Sequence, residues 1–136
     1  PDTLRVAQVF SDPPLNIVGI EKHGDTVRYE AGMQAPASGL YAALPDGAYR
    51  VGFRAHQLEL ANGQAGRHVF PAEVTVTEIT GSESFVHIKR AQTDWVSVLE
   101  GVHEFLPGEM IEVALDPGDV FVFDTGGHLV AAPGAA

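Results

Sequence analysis

From Ala72 to Lys89 the chain reads AEVTVTEITGSESFVHIK, a segment holding two runs of alternation. Val74 and Val76 alternate with Glu73, Thr75 and Thr77; Val86 and Ile88 alternate with Phe85, His87 and Lys89. A period of two belongs to a strand with one buried face. Between the runs, Gly81 can take positive φ and the serines of GSES can bond nearby backbone, so a hairpin turn is predicted there. Val86 and Ile88 then point to the core, with Phe85 and His87 outward. Glu78 is in phase with Val74 and Val76 whereas Ile79 is not, which predicts a bulge near Ile79 that curls the sheet toward a barrel.

The rest of the chain is punctuated in the same way. Leu4, Val6, Val9 and Phe10 lie closer to a helical face than to alternation, predicting a short N-terminal helix over Thr3–Phe10 that Asp12-Pro13-Pro14 ends. LNIVGIEK and TVRYE are two strands around His23-Gly24-Asp25, a tight hairpin. Residues 31–39 read as a loop, Leu40–Leu44 as a short strand, and Tyr49–Phe53 as a strand entering a turn at Arg54–Gln57. Leu58 and Leu60 lead into ANGQAGR, residues 61–67, the expected linker. Beyond the central hairpin come Trp95–Leu99, with Val96 and Val98 expected inward, then Met110–Leu115, Val120–Phe123 and His128–Ala131; the tail 132–136 is expected to fray. Many short strands with turn signals predict an all-β domain over residues 1–136. Its expected form is a small closed OB-type barrel in two intertwined lobes, about 15–60 and about 68–132, with a sandwich as the competing arrangement.

Composition narrows the function. Eighteen acids against eight bases give a net charge of −10, with no basic stretch to meet phosphates, which argues against nucleic acid. No cysteine is present, so disulfides and thiol chemistry are excluded. No apolar run reaches the roughly 20 residues of a spanning helix. The chain opens on Pro1, and we read it as a piece of something longer. There is no GxxxxGK[ST] loop, no GxGxxG and no GxSxG elbow, so neither nucleotide binding nor catalysis is expected of this chain. The six histidines, at 23, 56, 68, 87, 103 and 128, have no HxH or HxxxH spacing, and surface or strand positions are expected for them rather than a metal. Glu78 and Glu83 flank a turn and read as solvated acids. Trp95 reads as core or interface edge.

Four segments in order resemble one family. PDTLRVAQVFSDPPLN is similar to VAxFIGxPxMN through Val6, Ala7, Phe10, Pro13 and Asn16, with Leu15 where methionine is usual and Ser11 in place of glycine. VGFRAHQLEL resembles GIRPEHL through Gly52, Arg54 and Leu58, with Ala55 replacing proline and Gln57 histidine. TEITGSESFVHI resembles VExLGxExxVHV through Glu78, Gly81, Glu83, Val86 and His87, and LPGEMIEVALDPGDVFVFDTGGHLV resembles LxPGxxVxLxxDPxxxHLFDxxTGxRL. The family is the C-terminal regulatory region (TOBE/MOP-like, OB-fold) of ATP-binding subunits of bacterial carbohydrate-type ABC importers. The central turn's GFRAHxL variant resembles that of subunits of glycerol- or polyol-type importers.

The resemblance implies a regulatory and dimerisation domain of an importer ATPase for sugars, polyols or glycerol phosphates. ATP and magnesium would bind only in a nucleotide-binding domain outside this chain. Implied partners are a homologous ATPase subunit, the importer's transmembrane subunits and a cytoplasmic regulatory protein. The implied place is the inner face of a bacterial plasma membrane. Interface or regulatory candidates are Phe85, His87, Glu83, Arg54 and Trp95, with self-association expected through the Phe85 side of the second lobe. The alternative is a module binding a small oxyanion such as molybdate, because SDPPLNIVG is similar to the asparagine-then-glycine pattern of MOP anion sites at Asn16 and Gly19, with Ser11 near. Against it, Asp12 intrudes and no Lys or Arg lies between Arg5 and Lys22.

Overall fold

The computed structural model describes residues 15–134, so the expected helix over Thr3–Phe10 lies outside the described residues. The strands are β1 (Asn16–His23), β2 (Thr26–Tyr29), β3 (Gln34–Pro36), β4 (Gly47–Phe53), β5 (Leu58–Leu60), β6 (His68–Thr80), β7 (Glu83–Arg90), β8 (Thr93–Glu100), β9 (Met110–Leu115), β10 (Phe121–Phe123) and β11 (Leu129–Ala131). They form a six-stranded sheet, β11-β10-β4-β1-β2-β3, and a five-stranded sheet, β5-β9-β6-β7-β8. The sheets do not part the chain at 61–67: β5 joins the second sheet, and β10 and β11 return to the first.

Both sheets face one core. Phe53 from the first sheet and Phe70 from the second meet Trp95 edge to face, with ring centroids 5.1 and 5.2 Å away, and Tyr29 meets Phe70 at 4.9 Å. Offset edge contacts of this kind add to the area they bury.

The β1–β2 hairpin turns at Gly24-Asp25, with His23 opposite Thr26 and Gly24 at φ 56°. The central hairpin turns at Gly81-Ser82, with Thr80 opposite Glu83. Its bulge, however, falls earlier than expected. The β6–β7 register shifts between Val74 and Val76, leaving Thr75 as the extra residue, whose Oγ1 donates to the His87 carbonyl at 3.2 Å. Beyond that bulge the phase inverts: Thr77 takes the inner place opposite Val86, and Val76 turns outward, 47% exposed.

Three further expectations are corrected. Leu40–Leu44 is not a strand but a 3₁₀ turn, Gly39–Tyr41, followed by a bend; a period near three puts Tyr41 and Leu44 on the same buried side. Within the expected loop 31–39, residues 34–36 pair with β2 as a short edge strand. In β8 the inward residues are Trp95, Ser97 and Leu99, while Val96 and Val98 are half-buried on the outer side. The tight turn at Ala91-Gln92 sets that phase by placing Thr93 opposite the buried Arg90.

The second sheet is also open rather than closed. β5 and β8 share no ladder, and they meet where the Ser97 hydroxyl donates to the Leu58 carbonyl. The backbone groups of Val96, at the middle of β8, are already taken. Asn16 Oδ1 accepts the Val96 N–H and Asn16 Nδ2 donates to the Val96 carbonyl, each at 2.8 Å. One side chain thus caps the edge strand as a backbone amide would.

Candidate functional site

The outer face of β6, β7 and β8 gathers three of the five candidate residues. Cross-strand partners share a face, so the register builds it directly. His87 lies opposite Val76 and Val96, and Phe85 lies opposite Glu78 and Val98. Glu83 faces Glu100, and Lys89 faces Glu73 and Asp94. Phe85 and His87 point outward, half-buried among these neighbours, whereas Val86 and Ile88 are fully inside. The result is an apolar centre of Val76, Phe85, Val96 and Val98 with carboxylates at both ends. His87 Nε2 sits 2.7 Å from Glu78 Oε1 and fixes that carboxylate beside Phe85.

Trp95 and Arg54 are placed elsewhere. Trp95 is 1% exposed and donates its indole N–H to the Ile17 carbonyl at 3.1 Å, so it is a core residue bracing β1 against β8, not an interface edge. The Arg54 guanidinium lies 5.6 Å from the centre of the Phe121 ring, a cation–π contact on the first sheet. Its backbone N–H is taken by Gln57 Oε1 at 2.8 Å, within the turn that joins β4 to β5.

The anion pattern can also be located. Gly19, Arg28, Glu30, Tyr49 and Arg50 line an open groove of about 510 Å³ on the first sheet. The Gly19 N–H is bonded to the Glu30 carboxylate, and both polar atoms of the Asn16 amide are used on Val96. Arg28 is tied to Glu21 at 2.7 Å, while Arg50 is exposed at the rim. Ser11 lies outside the described residues. The donors at Gly19 and Asn16 are therefore filled by the chain itself, the Gly19 N–H by a carboxylate.

One polar cluster escaped the sequence reading. The Tyr29 hydroxyl is 2.8 Å from that of Tyr41 and 2.7 Å from His68 Nδ1, and all three side chains are buried. Its single proton can serve only one neighbour, so its lone pairs serve the other. Burial raises both tyrosine pKa values, which keeps the phenols neutral, and lowers that of His68. A signal was available: His68 is in phase with Phe70, Ala72 and Val74 and so belongs to the inner face of β6. Among the described residues no three His, Cys, Asp or Glu side chains are placed to share a metal ion.

Comparison with known proteins places the chain among relatives. A family model described as TOBE domain matches residues 51–123. The xylose/arabinose import ATP-binding protein XacK of Haloferax volcanii is 27% identical over 130 residues, which cover 91% of this chain and 34% of XacK. The chain thus spans about a third of that relative's length. The solved structure of the cytoplasmic molybdate-binding protein ModG, with molybdate bound, superposes with a TM-score of 0.64 at 15% identity, covering 80% of this chain and 95% of ModG.

Proposed function

The chain belongs to the TOBE domain family, and on that premise we propose that it is the accessory, non-nucleotide-binding domain of an ABC importer ATPase subunit. In this reading it steadies a pair of such subunits at the cytoplasmic face of the membrane. One observation carries it: the likeness to an import ATP-binding protein runs along nearly the whole chain yet takes up only a third of that protein. The remaining length is where a nucleotide-binding unit would sit. In this proposal the solute, a sugar or polyol, is chosen by other subunits. A chimaera of XacK with its matched third replaced by this chain tests it, expressed in cells lacking XacK. ATP-dependent xylose uptake above the deletion background is expected. A chimaera that accumulates and hydrolyses ATP but leaves uptake at background overturns the reading.

A second reading, a small-oxyanion site, is supported by the fold shared with ModG and by the Gly19 N–H holding a carboxylate in a groove with Arg50 at its rim. Such a ligand would displace Glu30, so thermal melts with molybdate and tungstate should be run on the parent chain and on Glu30→Ala. Ligand at about 100 times its dissociation constant adds about 2.7 kcal/mol, a midpoint rise of several degrees. A rise, larger in the variant, establishes this second reading; flat melts in both remove it.

A further inference from the structure

The outer face of β6–β8 combines two features that its own chain leaves unmatched. Glu83 and Glu100 stand directly opposite each other across β7 and β8, and both are exposed. Like charges in that position are destabilising, and no Lys, Arg or His lies within salt-bridge distance of either among the described residues. The pair immediately inward on the same face is Phe85 and Val98, and beyond it lie Val76 and Val96. At the far end Lys89 stands between Glu73 and Asp94, so the cation there is outnumbered.

We propose that this face is a docking surface for a basic, apolar-centred segment of another protein. Its apolar side chain would cover Phe85 and Val98 while flanking Lys or Arg side chains pair with Glu83 and Glu100. The charge pattern selects this occupant over the alternatives. A second copy meeting face to face would set carboxylate rims against each other, on a chain already at −10. Nucleic acid and anionic lipid surfaces are excluded by the same sign of charge. This surface does not depend on the importer reading, because its geometry lies wholly within the five-stranded sheet.

The test uses the full 136-residue chain and a short synthetic peptide in which two phenylalanines are flanked by lysines, with a glutamate-flanked peptide as control. Backbone amide shifts followed by NMR should move for Glu83, Phe85, Val96, Val98 and Glu100 with the lysine peptide only. Joint Glu83→Gln and Glu100→Gln substitution should weaken binding about tenfold, the loss of two surface ion pairs. Asp25→Asn, an acid on the β1–β2 turn, should leave binding unchanged. Glu83→Lys supplies a second measurement independent of folding failure. It converts the repulsive pair to an attractive one, so its thermal midpoint should rise while peptide binding is lost. Shifts spread over every acidic surface, or equal weakening by Asp25→Asn, overturn the proposal. So does occupation of the face by a second copy, seen as concentration-dependent shifts of the same amides without peptide.

Discussion

His68 is a buried residue whose ionisation the fold opposes. Burial lowers its pKa from the ordinary 6.5, and its ring faces the neutral hydroxyl of Tyr29. The unfolded chain accepts a proton near pH 6.5 while the folded chain resists it. Stability from this residue is therefore complete above that pH and is lost as pH falls toward the lower folded value. Between about pH 7 and about pH 5.5 the urea midpoint should decline, and His68→Gln should flatten that decline. A slope unchanged in the variant would assign the pH dependence to other groups. Tyr29→Phe tests the same cluster without changing charge. Removing the shared hydroxyl leaves His68 and Tyr41 short of a partner, at a cost of about 1–3 kcal/mol in urea unfolding. The expectation of a surface or strand position for His68 leaves its burial unread, because the alternation is followed only from Ala72. Extending the alternation back by two inward positions would have buried it.

At the scale of elements, the strands legible in the sequence are those whose local pattern and turn agree. Met110–Leu115 is β9 to the residue, and the β1–β2 hairpin turns where Gly24-Asp25 said it would. The strands whose phase the alternation alone misses are those fixed from outside their own run. Val96 and Val98 look like core in a local window, yet the turn at Ala91-Gln92 and the Trp95 bond to Ile17 turn them outward. Asn16, noted for its place in an anion pattern, instead caps the edge of β8 across 80 positions of sequence, which no local window can reveal. The cap has a measurable consequence. Asn16→Asp keeps an acceptor for the Val96 N–H but sets a carboxylate oxygen against the Val96 carbonyl. The lost donor and the repulsion should cost about 2 kcal/mol in urea unfolding, with an unchanged m-value. Asn16→Ala removes the acceptor as well, so in that variant the Val96 amide should exchange its hydrogen faster than in the parent. Equal protection of Val96 in both proteins would mean that the edge is held by β1 packing alone.

For the whole molecule, a charge of −10 on 136 residues is the dominant long-range term. Every copy repels itself and its neighbours, so folding and self-association should respond to salt in the same direction. Raising ionic strength from about 0.01 M to about 0.15 M shortens the screening length from about 30 Å to about 8 Å. The thermal midpoint should rise over that range. Self-association, expected of a domain proposed to steady paired subunits, should strengthen in parallel, because the opposing term is repulsion between like-charged copies. Sedimentation over a hundredfold range of protein concentration, at both salt levels, measures it. A dimer fraction that grows with concentration and with salt is the expected outcome. Association that weakens with salt would instead mean a contact made of ion pairs between copies. Phe85→Ala decides where the contact lies. With the acidic rim around Phe85 turned away from a second copy, the variant should dimerise as the parent does. A variant that remains monomeric would place the two-fold contact on the β6–β8 face after all, with its carboxylates splayed outside the buried centre.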